Sequence, residues 1–480
     1  MMTQAGKRPK SNSVSSGTGS AECTQQKTID SFFKPKKQRA SETGEGAQGS
    51  TPTQPTIQWH EIGKTWLGRF GSPAPAAKFA AFDLDHTLIC VKGKGRFPRN
   101  SDDWRFFHAD VPKLLRNIHS QGYKIVIMSN QYGLKPNKGT TGLSTQAKDY
   151  RLKIAKIAQE LQVPFTIYAA IDKDYMRKPA PGMWFMAELD NAGVTVDRAS
   201  SFYVGDAAGR PAGWQRGVAA DFSDSDLAFA LNAGVPFYTP EEIITSEICA
   251  RDEPMPPPVP RTWPLARFSP KSLAFDHDGH AALLADLEAS ASSAKAQNKG
   301  LLVLLVGPPA CGKSTFASAH LASLGFERVN MDTLGTSKKC VDAVKGALMA
   351  GRCVVVDNTN PDPASRCSFI SIASAFGASA VAVVFAHESR DLAMHNNQYR
   401  SKLVQARFFH RAAVPQVGQA AVSVYDVPCG SDRVPDVAYH AYFKRFVMPT
   451  LSEDLARVLH YPFVPSFDNS GDEALWQQYH

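Results

Sequence analysis

Two carboxylates separated by one residue follow a short apolar run in the first half of the chain. The run Lys78-Phe79-Ala80-Ala81-Phe82 has the composition of a central parallel strand, and Asp83 and Asp85 come next. Because alternate residues of a strand share a face, both carboxylates can reach one ligand where the strand end curls over it. One carboxylate that attacks phosphorus and another that moves a proton would carry out phosphoryl transfer beside a divalent metal. An acidic loop after an ordinary core strand is the alternative interpretation.

Three polar groups further along the chain bear on this choice. They are Ser129 near the end of the apolar run 123–130, Lys178 after the run 165–171, and Asp206 after the run 201–204. A hydroxyl and a lysine can bind phosphoryl oxygens, and an additional acid can bind a cation that neutralises the phosphate. The order of acid, acid, hydroxyl, lysine and acid therefore favours a phosphatase site.

This order of groups resembles the haloacid dehalogenase superfamily of phosphatases. The resemblance implies that Asp83 is the nucleophile that becomes an aspartyl-phosphate, and that Asp85 is the general acid and then the base. It also implies that Ser129 and Lys178 hold the phosphoryl oxygens, and that the strand-end acids hold Mg²⁺. The implied metal ligands are Asp83, Asp85 and Asp206.

A second phosphate-binding motif lies in the C-terminal half of the chain. The apolar run 301–306 leads into Gly307, and the chain continues to Gly312, Lys313 and Ser314, which completes G-x-x-x-x-G-K-S between a predicted strand and a predicted helix. The glycines let the backbone wrap a polyphosphate, while Lys313 reaches the β- and γ-phosphates and Ser314 binds Mg²⁺. The motif predicts an ATP site.

Two acids and one arginine complete a predicted kinase site. Asp332 and Asp357 each end a predicted strand, and a kinase needs a carboxylate for the hydroxyl of its acceptor. Asp332 could play that part, while Asp357 could serve the metal or help to hold the acceptor. Arg400 lies on a predicted helix at 389–402, where small P-loop kinases place a lid arginine. Ordinary strand-end acids and a solvated helix charge are the alternatives.

The segments around these motifs alternate between strand-like and helix-like patterns, which predicts parallel, right-handed wound sheets. The fold class is α/β, with two doubly wound parallel-sheet domains: a haloacid dehalogenase-like phosphatase at 59–245 and a P-loop kinase at 299–480. A linker or strap at 246–298 joins them, and a disordered tail at 1–58 precedes them. The predicted strands are 78–82, 123–130, 165–171, 201–204, 301–306, 326–331, 353–356 and 381–386, and the predicted helices include 111–121, 144–162, 182–191 and 389–402.

The tail contains one apolar island at 26–33 that has no core of its own to join. Its spacing looks like a PCNA-interacting peptide, in which a one-turn helix inserts apolar side chains into a groove of the sliding clamp. The matching positions are Gln26, Ile29, Phe32 and Phe33. A chance cluster is the alternative. The basic clusters 7–10 and 34–37 fit nuclear import signals or are solvated tail charges.

Composition and charge limit the classes of protein to which this chain can belong. The net charge is +8, but residues 1–40 hold eight basic and two acidic residues, or +6, which leaves about +2 for the rest of the chain. Charge alone therefore does not make the folded part a DNA binder. The eight cysteines form no C-x-x-C pair, as expected in a reducing compartment, and no apolar run approaches the length of a membrane span. Residues 1–20 lack the apolar core of a secretory signal.

Longer stretches of sequence make the resemblance more specific. The segments 202–210, 332–335, 357–362 and 395–397, together with the order phosphatase before kinase, resemble eukaryotic polynucleotide kinase 3′-phosphatases. The resemblance implies removal of 3′-phosphates from DNA breaks and ATP-dependent phosphorylation of 5′-hydroxyls, in the nucleus and with Mg²⁺. An organellar pool remains an open alternative.

The family resemblance also implies roles for individual residues. Asp332 would be the base for the 5′-hydroxyl and Arg400 the lid arginine. Asp221 and Asp226 would lie near the phosphatase metal. The expected partners are DNA with 3′-phosphate or 5′-hydroxyl ends and the sliding clamp PCNA, with no membrane partner, and the expected state is a monomer.

The sequence departs from the vertebrate pattern in three places. The tail is too short and polar for a forkhead-associated domain, so the clamp-binding peptide is expected to replace that means of recruitment. Met331 stands where vertebrate members have an arginine, and residues 403–433 are expected to form a longer or altered loop. A metabolic fusion of a small-molecule phosphatase with a small-molecule kinase is the alternative function. A clamp-bound scaffold without activity is a further one, and the intact motifs argue against it.

Overall fold

The computed structural model describes residues 56–93, 95, 98–136, 142–245, 265, 267–385, 390–413, 422–428, 430, 433–467 and 469–480. The predicted clamp-binding peptide, both basic clusters and most of the proline-rich part of the linker lie outside these residues. Their assignments stay predictions. In the part of the chain that is described, no helix has the length and apolar composition needed to cross a bilayer.

The first half of the chain forms a seven-stranded sheet with the order β1-β2-β7-β6-β3-β8-β9. Its strands are β1 (Gln58–Ile62), β2 (Thr65–Phe70), β3 (Lys78–Phe82), β6 (Tyr123–Asn130), β7 (Phe165–Ala170), β8 (Phe202–Val204) and β9 (Phe237–Tyr238), and a separate pair comprises β4 (Ile89–Cys90) and β5 (Arg105–Phe106). The five strands from β7 to β9 are parallel, as predicted. The hairpin β1-β2 adds an antiparallel edge that the sequence patterns did not predict.

Helices cover both faces of this sheet. They are α1 (Val111–Ser120), α2 (Thr145–Leu161), α3 (Gly182–Leu189), α4 (Ser225–Ala233) and α5 (Pro240–Ile243). One core contains the buried faces of α1 and α2, and a second contains those of α3 and α4. Ser144 caps α2 by accepting a hydrogen bond from the amide of Ala147, which satisfies one of the free donors at the helix start. The central strands are therefore buried on both sides, and their carboxyl ends meet at one edge.

The second half forms a parallel five-stranded sheet with the order β11-β12-β10-β13-β14. The strands are β10 (Leu301–Val306), β11 (Glu327–Val329), β12 (Val354–Val356), β13 (Ser379–Phe385) and β14 (Arg457–Tyr461). The helices are α6 (His277–Ala296), α7 (Lys313–Phe316), α8 (Met331–Leu334), α9 (Ser337–Met349), α10 (Pro363–Ala375), α11 (Arg390–Ala413), α12 (Asp436–Arg445) and α13 (Ser470–Trp476). Two doubly covered parallel sheets confirm the predicted fold class.

Two segments differ from the sequence-based expectations. The alanine- and serine-rich stretch assigned to the linker is part of α6, because Leu283, Leu287 and Ala291 recur every four residues and are buried in the core around β10. The helix predicted at 389–402 is α11 and continues to Ala413, so the first part of the expected loop at 403–433 is helical. The described residues from 56 to 480 belong to one compact unit, and α11 packs against α3 of the first sheet.

Candidate active sites

The first candidate site lies at the carboxyl end of β3, where the strand delivers Asp83 to a buried position. Lys178 arrives from the loop after β7, and its ammonium lies 2.5 Å from Oδ1 of Asp83 and 2.7 Å from Oδ1 of Asp226. The hydroxyl of Tyr203, on β8, lies 2.7 Å from the same ammonium. Asn130 holds the loop in place, because its side chain bonds to both the amide and the carbonyl of Lys178. The end of β3, the loop after β7 and the start of α4 therefore bring one buried cation and two carboxylates together.

Three carboxylates at this edge are close enough to share a cation. Oxygen atoms of Asp83, Asp206 and Asp226 all lie within 4.8 Å of one another. The hydroxyl of Thr87 accepts a hydrogen bond from the amide of Asp206, which fixes the start of that loop. Gly205 is required there, since an added Cβ would lie 2.4 Å from the carboxyl carbon of Asp226.

The electrostatics of the cluster favour a bound cation. Burial raises the pKa of Asp83 to about 7; Lys178 opposes this shift, and the charge of Asp226 adds to it. Burial, followed by the charges of Asp226 and Asp83, raises the pKa of Asp206 to about 8. Like charges in a buried site disfavour one another, and a divalent cation would relieve that repulsion. The donor set consists of the hard oxygen ligands that such ions prefer.

Asp85 stands apart from this carboxylate cluster. Its Oδ2 accepts a hydrogen bond from the side-chain amide of Gln131 at 2.7 Å, and its Oδ1 lies 3.4 Å from the ammonium of Lys153. The Gln131 amide also lies 2.9 Å from the hydroxyl of Ser129, so it links two of the predicted site residues. The structure thus brings Asp226 into the predicted metal group and gives the Asp85 carboxylate polar partners that are not metal ligands.

Gln131 and Lys153 were missed by the sequence-based predictions. Gln131 directly follows a strand that ends in a hydroxyl and an amide, so its position was a usable signal. Lys153 is only 5% exposed on its side chain and lies among the apolar positions of α2, where a lysine is unusual. Asp221, expected near the metal, forms an ion pair with Arg210 at 2.8 Å and accepts a hydrogen bond from the amide of Ala208.

These groups line a cleft of about 840 Å³. Its walls include Asp83, Asp85, Ser129, Lys178 and Asp206, together with the cations Arg99, Lys153, Arg177 and Arg267. Phe222, at the same cleft, exposes 82% of its surface. A cleft with several cations and an exposed ring suits a phosphorylated ligand that carries an aromatic base.

The second candidate site lies where β10 meets α7. Gly312 has φ of +99°, a conformation that glycine adopts without strain, and it turns the chain into the helix. Lys313 is buried and donates to the carbonyls of Gly307 and Pro308 at 3.0 and 2.7 Å, while Ser314 is exposed. Lys313 thus bonds to its own loop. Such a loop at the start of a helix is suited to bind a polyphosphate.

The two strand-end acids of the second sheet have different environments. Asp332 is exposed on α8, because β11 ends at Val329 and Asn330 caps the helix through a bond to the amide of Thr333. Asp357 is buried, and its Oδ2 lies 2.5 Å from Arg328. Its Oδ1 has no hydrogen-bond partner among the described residues, which leaves a buried acceptor for a cation or a hydroxyl.

Arg400 is an exposed residue of α11. Ala393, seven residues earlier, lies on the same face of the helix, and its carbonyl accepts a hydrogen bond from the Tyr439 hydroxyl. Burial raises the pKa of Tyr439 to about 12, and the charges of Arg400 and of Cys311 in the loop both act on it. Ala393, Tyr439 and Cys311 share the core around β10, so this part of α11 packs on the same core as the phosphate-binding loop.

A buried carboxylate beside a buried lysine on one sheet, and a P-loop with an exposed acid on another, are the arrangement of a phosphoryl-transfer enzyme with two sites. The family model described as polynucleotide kinase 3 phosphatase matches residues 78–244. A bifunctional polynucleotide phosphatase/kinase of Schizosaccharomyces pombe is 32% identical over 446 residues, which cover 91% of this chain and 94% of that relative. This chain therefore belongs to the family of bifunctional polynucleotide phosphatase/kinases.

Two further relatives each match about a third of this chain. The polynucleotide 3′-phosphatase ZDP of Arabidopsis thaliana is 35% identical over 178 residues, or 34% of this chain and 24% of that relative. A polynucleotide 3′-phosphatase of Saccharomyces cerevisiae is 30% identical over 211 residues, or 34% of this chain and 85% of that relative. The resemblance inferred from the sequence motifs is thereby confirmed at the level of the family.

Proposed function

We propose that this enzyme prepares broken DNA ends for ligation by removing 3′-phosphates and adding 5′-phosphates. The observation that carries the proposal is the buried contact of Lys178 with Asp83 in one domain of a chain whose other domain holds a complete P-loop. One site would remove a phosphate and the other would add one. In a family named for acting on polynucleotides, these two reactions fit the two ends of one strand break.

In the phosphatase reaction, Asp83 attacks the 3′-phosphate and becomes an aspartyl-phosphate. Lys178 and Ser129 bind the phosphoryl oxygens, and the lysine neutralises part of their charge in a buried setting. Asp85, held by Gln131, gives a proton to the 3′-oxygen as its bond to phosphorus breaks, so the product leaves as a 3′-hydroxyl. It then takes a proton from the water that releases phosphate.

In the kinase reaction, the exposed carboxylate of Asp332 accepts the proton of the 5′-hydroxyl as it attacks the γ-phosphate of ATP. Lys313 and the loop from Gly307 to Gly312 hold the β- and γ-phosphates, and Arg400 covers the transferring group. Asp357 supports the metal or the acceptor through its unpartnered oxygen.

Mg²⁺ is the proposed metal in both domains. Asp83, Asp206 and Asp226 would hold it in the phosphatase, with Asp85 outside that carboxylate set, and Ser314 with Asp357 would hold it in the kinase. When bound, the ion neutralises phosphate charge. Oxygen donors at all of these positions fit this assignment.

The decisive assay uses the intact protein with Mg²⁺, ATP and a gapped duplex that carries a 3′-phosphate and a 5′-hydroxyl. We expect both termini to be converted, while a free sugar phosphate is processed much more slowly. A preference for the free sugar phosphate would replace this function with the metabolic fusion of two small-molecule enzymes. Conversion of neither DNA terminus would contradict the proposal.

Recruitment is proposed to run through the N-terminal peptide to the sliding clamp PCNA in the nucleus. The spacing of Gln26, Ile29 and the two phenylalanines supports this assignment, and the basic clusters support nuclear import. The test is binding of the full chain to the clamp before and after replacement of Phe32 and Phe33 by alanine. We expect binding to be lost, and unchanged binding would refute the assignment.

A further inference from the structure

The helix α11 packs into the cores of both catalytic domains. Ala393 belongs to the core of the second sheet, and Arg400 shares its face at a spacing of seven residues. Ala406 and Phe409 belong to a core of the first sheet instead, together with Tyr175 and Trp184 of the phosphatase domain. One continuous helix therefore carries the proposed lid arginine and packs into the neighbouring domain.

Gln405 makes the central polar contact of this packing. Its Oε1 accepts a hydrogen bond from the amide of Tyr175 at 2.9 Å, and its Nε2 donates to Oδ2 of Asp174 at 3.0 Å. The same Nε2 donates to the carbonyl of Pro428 at 3.0 Å. Gln405 is only 2% exposed, so removing it would leave buried donors and acceptors without partners.

Aromatic packing surrounds this contact. The ring of Phe409 lies 6.2 Å from that of Tyr175 and 6.3 Å from that of Phe185, measured between centroids. The hydroxyl of Tyr175 donates to Gln478 at 3.2 Å, so the C-terminal segment joins the same junction. The loop 174–178, which ends in Lys178, is thereby held from the kinase side.

We propose that Gln405 is a positioning residue for the kinase reaction, because its bonds to Asp174 and Tyr175 fix α11 and so fix the position of Arg400, the proposed lid arginine. The inference rests on the proposed lid role of Arg400. Five residues of helix separate the two side chains, about 7.5 Å along the axis, a distance over which a helix behaves as a rigid rod. The phosphatase domain thus holds the helix that carries the proposed lid arginine of the kinase.

The first test is kinetic. Gln405→Ala should lower the turnover rate of the kinase reaction about tenfold and leave the KM for ATP within about twofold, since a lid arginine acts on the transferring phosphate. In an Arg400→Ala background the same substitution should have almost no further effect on that turnover rate. Equal losses in both backgrounds would overturn the positioning role. Val404→Ala, at an exposed neighbouring position, is the control and should retain full activity.

The second test exchanges the hydrogen-bond donor and acceptor between positions 405 and 174. Gln405→Glu alone should lower the kinase turnover rate, because it removes the donor to Asp174 and places two carboxylates together. Adding Asp174→Asn supplies an amide that can donate to the new carboxylate, and we expect most of the lost rate to return. A double variant no faster than Gln405→Glu would contradict the proposal.

Two controls separate the possible failures. Thermal unfolding of every variant reports that the protein has folded. Removal of 3′-phosphates is not an independent control, because Gln405 contacts the loop that carries Lys178. If Arg400→Ala itself phosphorylated 5′-hydroxyls at full speed, the lid role would fail and the inference with it. If Arg400→Ala were slow and Gln405→Ala were fast, only the inference would fail.

Discussion

The ammonium of Lys178 lies 2.5 Å from Oδ1 of Asp83 inside the first domain. Burial alone would lower the pKa of Lys178, but the charges of Asp226 and Asp83 raise it above its usual value, so the lysine stays charged. A fixed cation beside the proposed nucleophile is preorganised for the charge of an incoming phosphate.

Replacing this cation should disable the phosphatase alone. We expect Lys178→Met to lower the rate of 3′-phosphate removal by about 10²-fold to 10³-fold, the usual cost of losing one preorganised electrostatic group. The kinase rate should not change, because the P-loop belongs to the other sheet. Lys135→Met is the matched control, since Lys135 forms its ion pair with Asp172. A comparable loss in the control would argue against a specific role.

Single substitutions should separate the two activities. Asp83→Ala should abolish 3′-phosphate release and preserve 5′-phosphorylation, because it removes the nucleophile. Lys313→Ala should do the reverse, because it removes the cation that binds the β- and γ-phosphates. Both termini of one labelled substrate are scored. Loss of the kinase in a folded Asp83→Ala protein would refute the assignment of two separate sites.

We expect Gln131 to affect the phosphatase reaction by positioning Asp85. Gln131→Ala removes the amide that lies 2.7 Å from the Asp85 carboxylate, so we expect the phosphatase turnover rate to fall about tenfold with little change in KM. Steady-state rates across a pH series provide the measurement, because a misplaced acid should also change the pH profile. Gln215→Ala, at an exposed position, serves as the comparison. A rise in KM alone would place Gln131 in substrate binding.

The buried histidine of α11 should make the protein acid-sensitive. His395 lies 2.8 Å from the carbonyl of Trp476, and burial lowers its pKa to about 4. Its neutral form is therefore favoured in the folded state, so stability is full above about pH 6.5 and falls as the pH drops towards 4. The loss should reach about 3 kcal/mol. Thermal unfolding between pH 4 and 7.5 measures it, and His395→Gln should flatten the curve. An unchanged slope in that variant would exclude His395 as the cause.

Lys402 should destabilise the folded protein at neutral pH. It is buried on α11 near Arg177, Arg267, Arg433 and Asp174, and burial lowers its pKa to about 7. Burying Lys402 costs stability wherever the lysine of the unfolded chain is charged. The penalty is therefore largest at or below pH 7 and vanishes above about pH 10.5. We expect Lys402→Met to stabilise the protein at pH 7 by on the order of 2–5 kcal/mol, and less at pH 10.

Urea unfolding at both pH values measures this difference. Lys339→Met, at an exposed position of α9, is the matched control and should change stability little. If the gain from Lys402→Met were as large at pH 10 as at pH 7, improved packing would be the cause, and the electrostatic explanation would be wrong.

Local sequence was enough to predict the parts of both sites that depend on neighbouring residues. The apolar runs at 78–82 and 301–306 form strands with those bounds, because short runs of buried residues between turn signals have few other stable arrangements. The groups at their ends, Asp83 and the P-loop, follow directly from these strands. The order of the two domains and their family resemblance were also readable from the chain.

Contacts between distant segments were decided by the tertiary structure. Asp226 joins Asp83 and Asp206 because α4 packs on β8, which pairs with β3; the family resemblance placed Asp226 near the metal, but no spacing in the sequence encodes that approach. The continuation of α11 beyond residue 402 depends on the core it finds in the phosphatase domain, where Phe409 is buried. Sequence determines which side chains and strands are present, since these follow from composition and short-range sterics. Packing free energy between remote segments determines which of these groups meet.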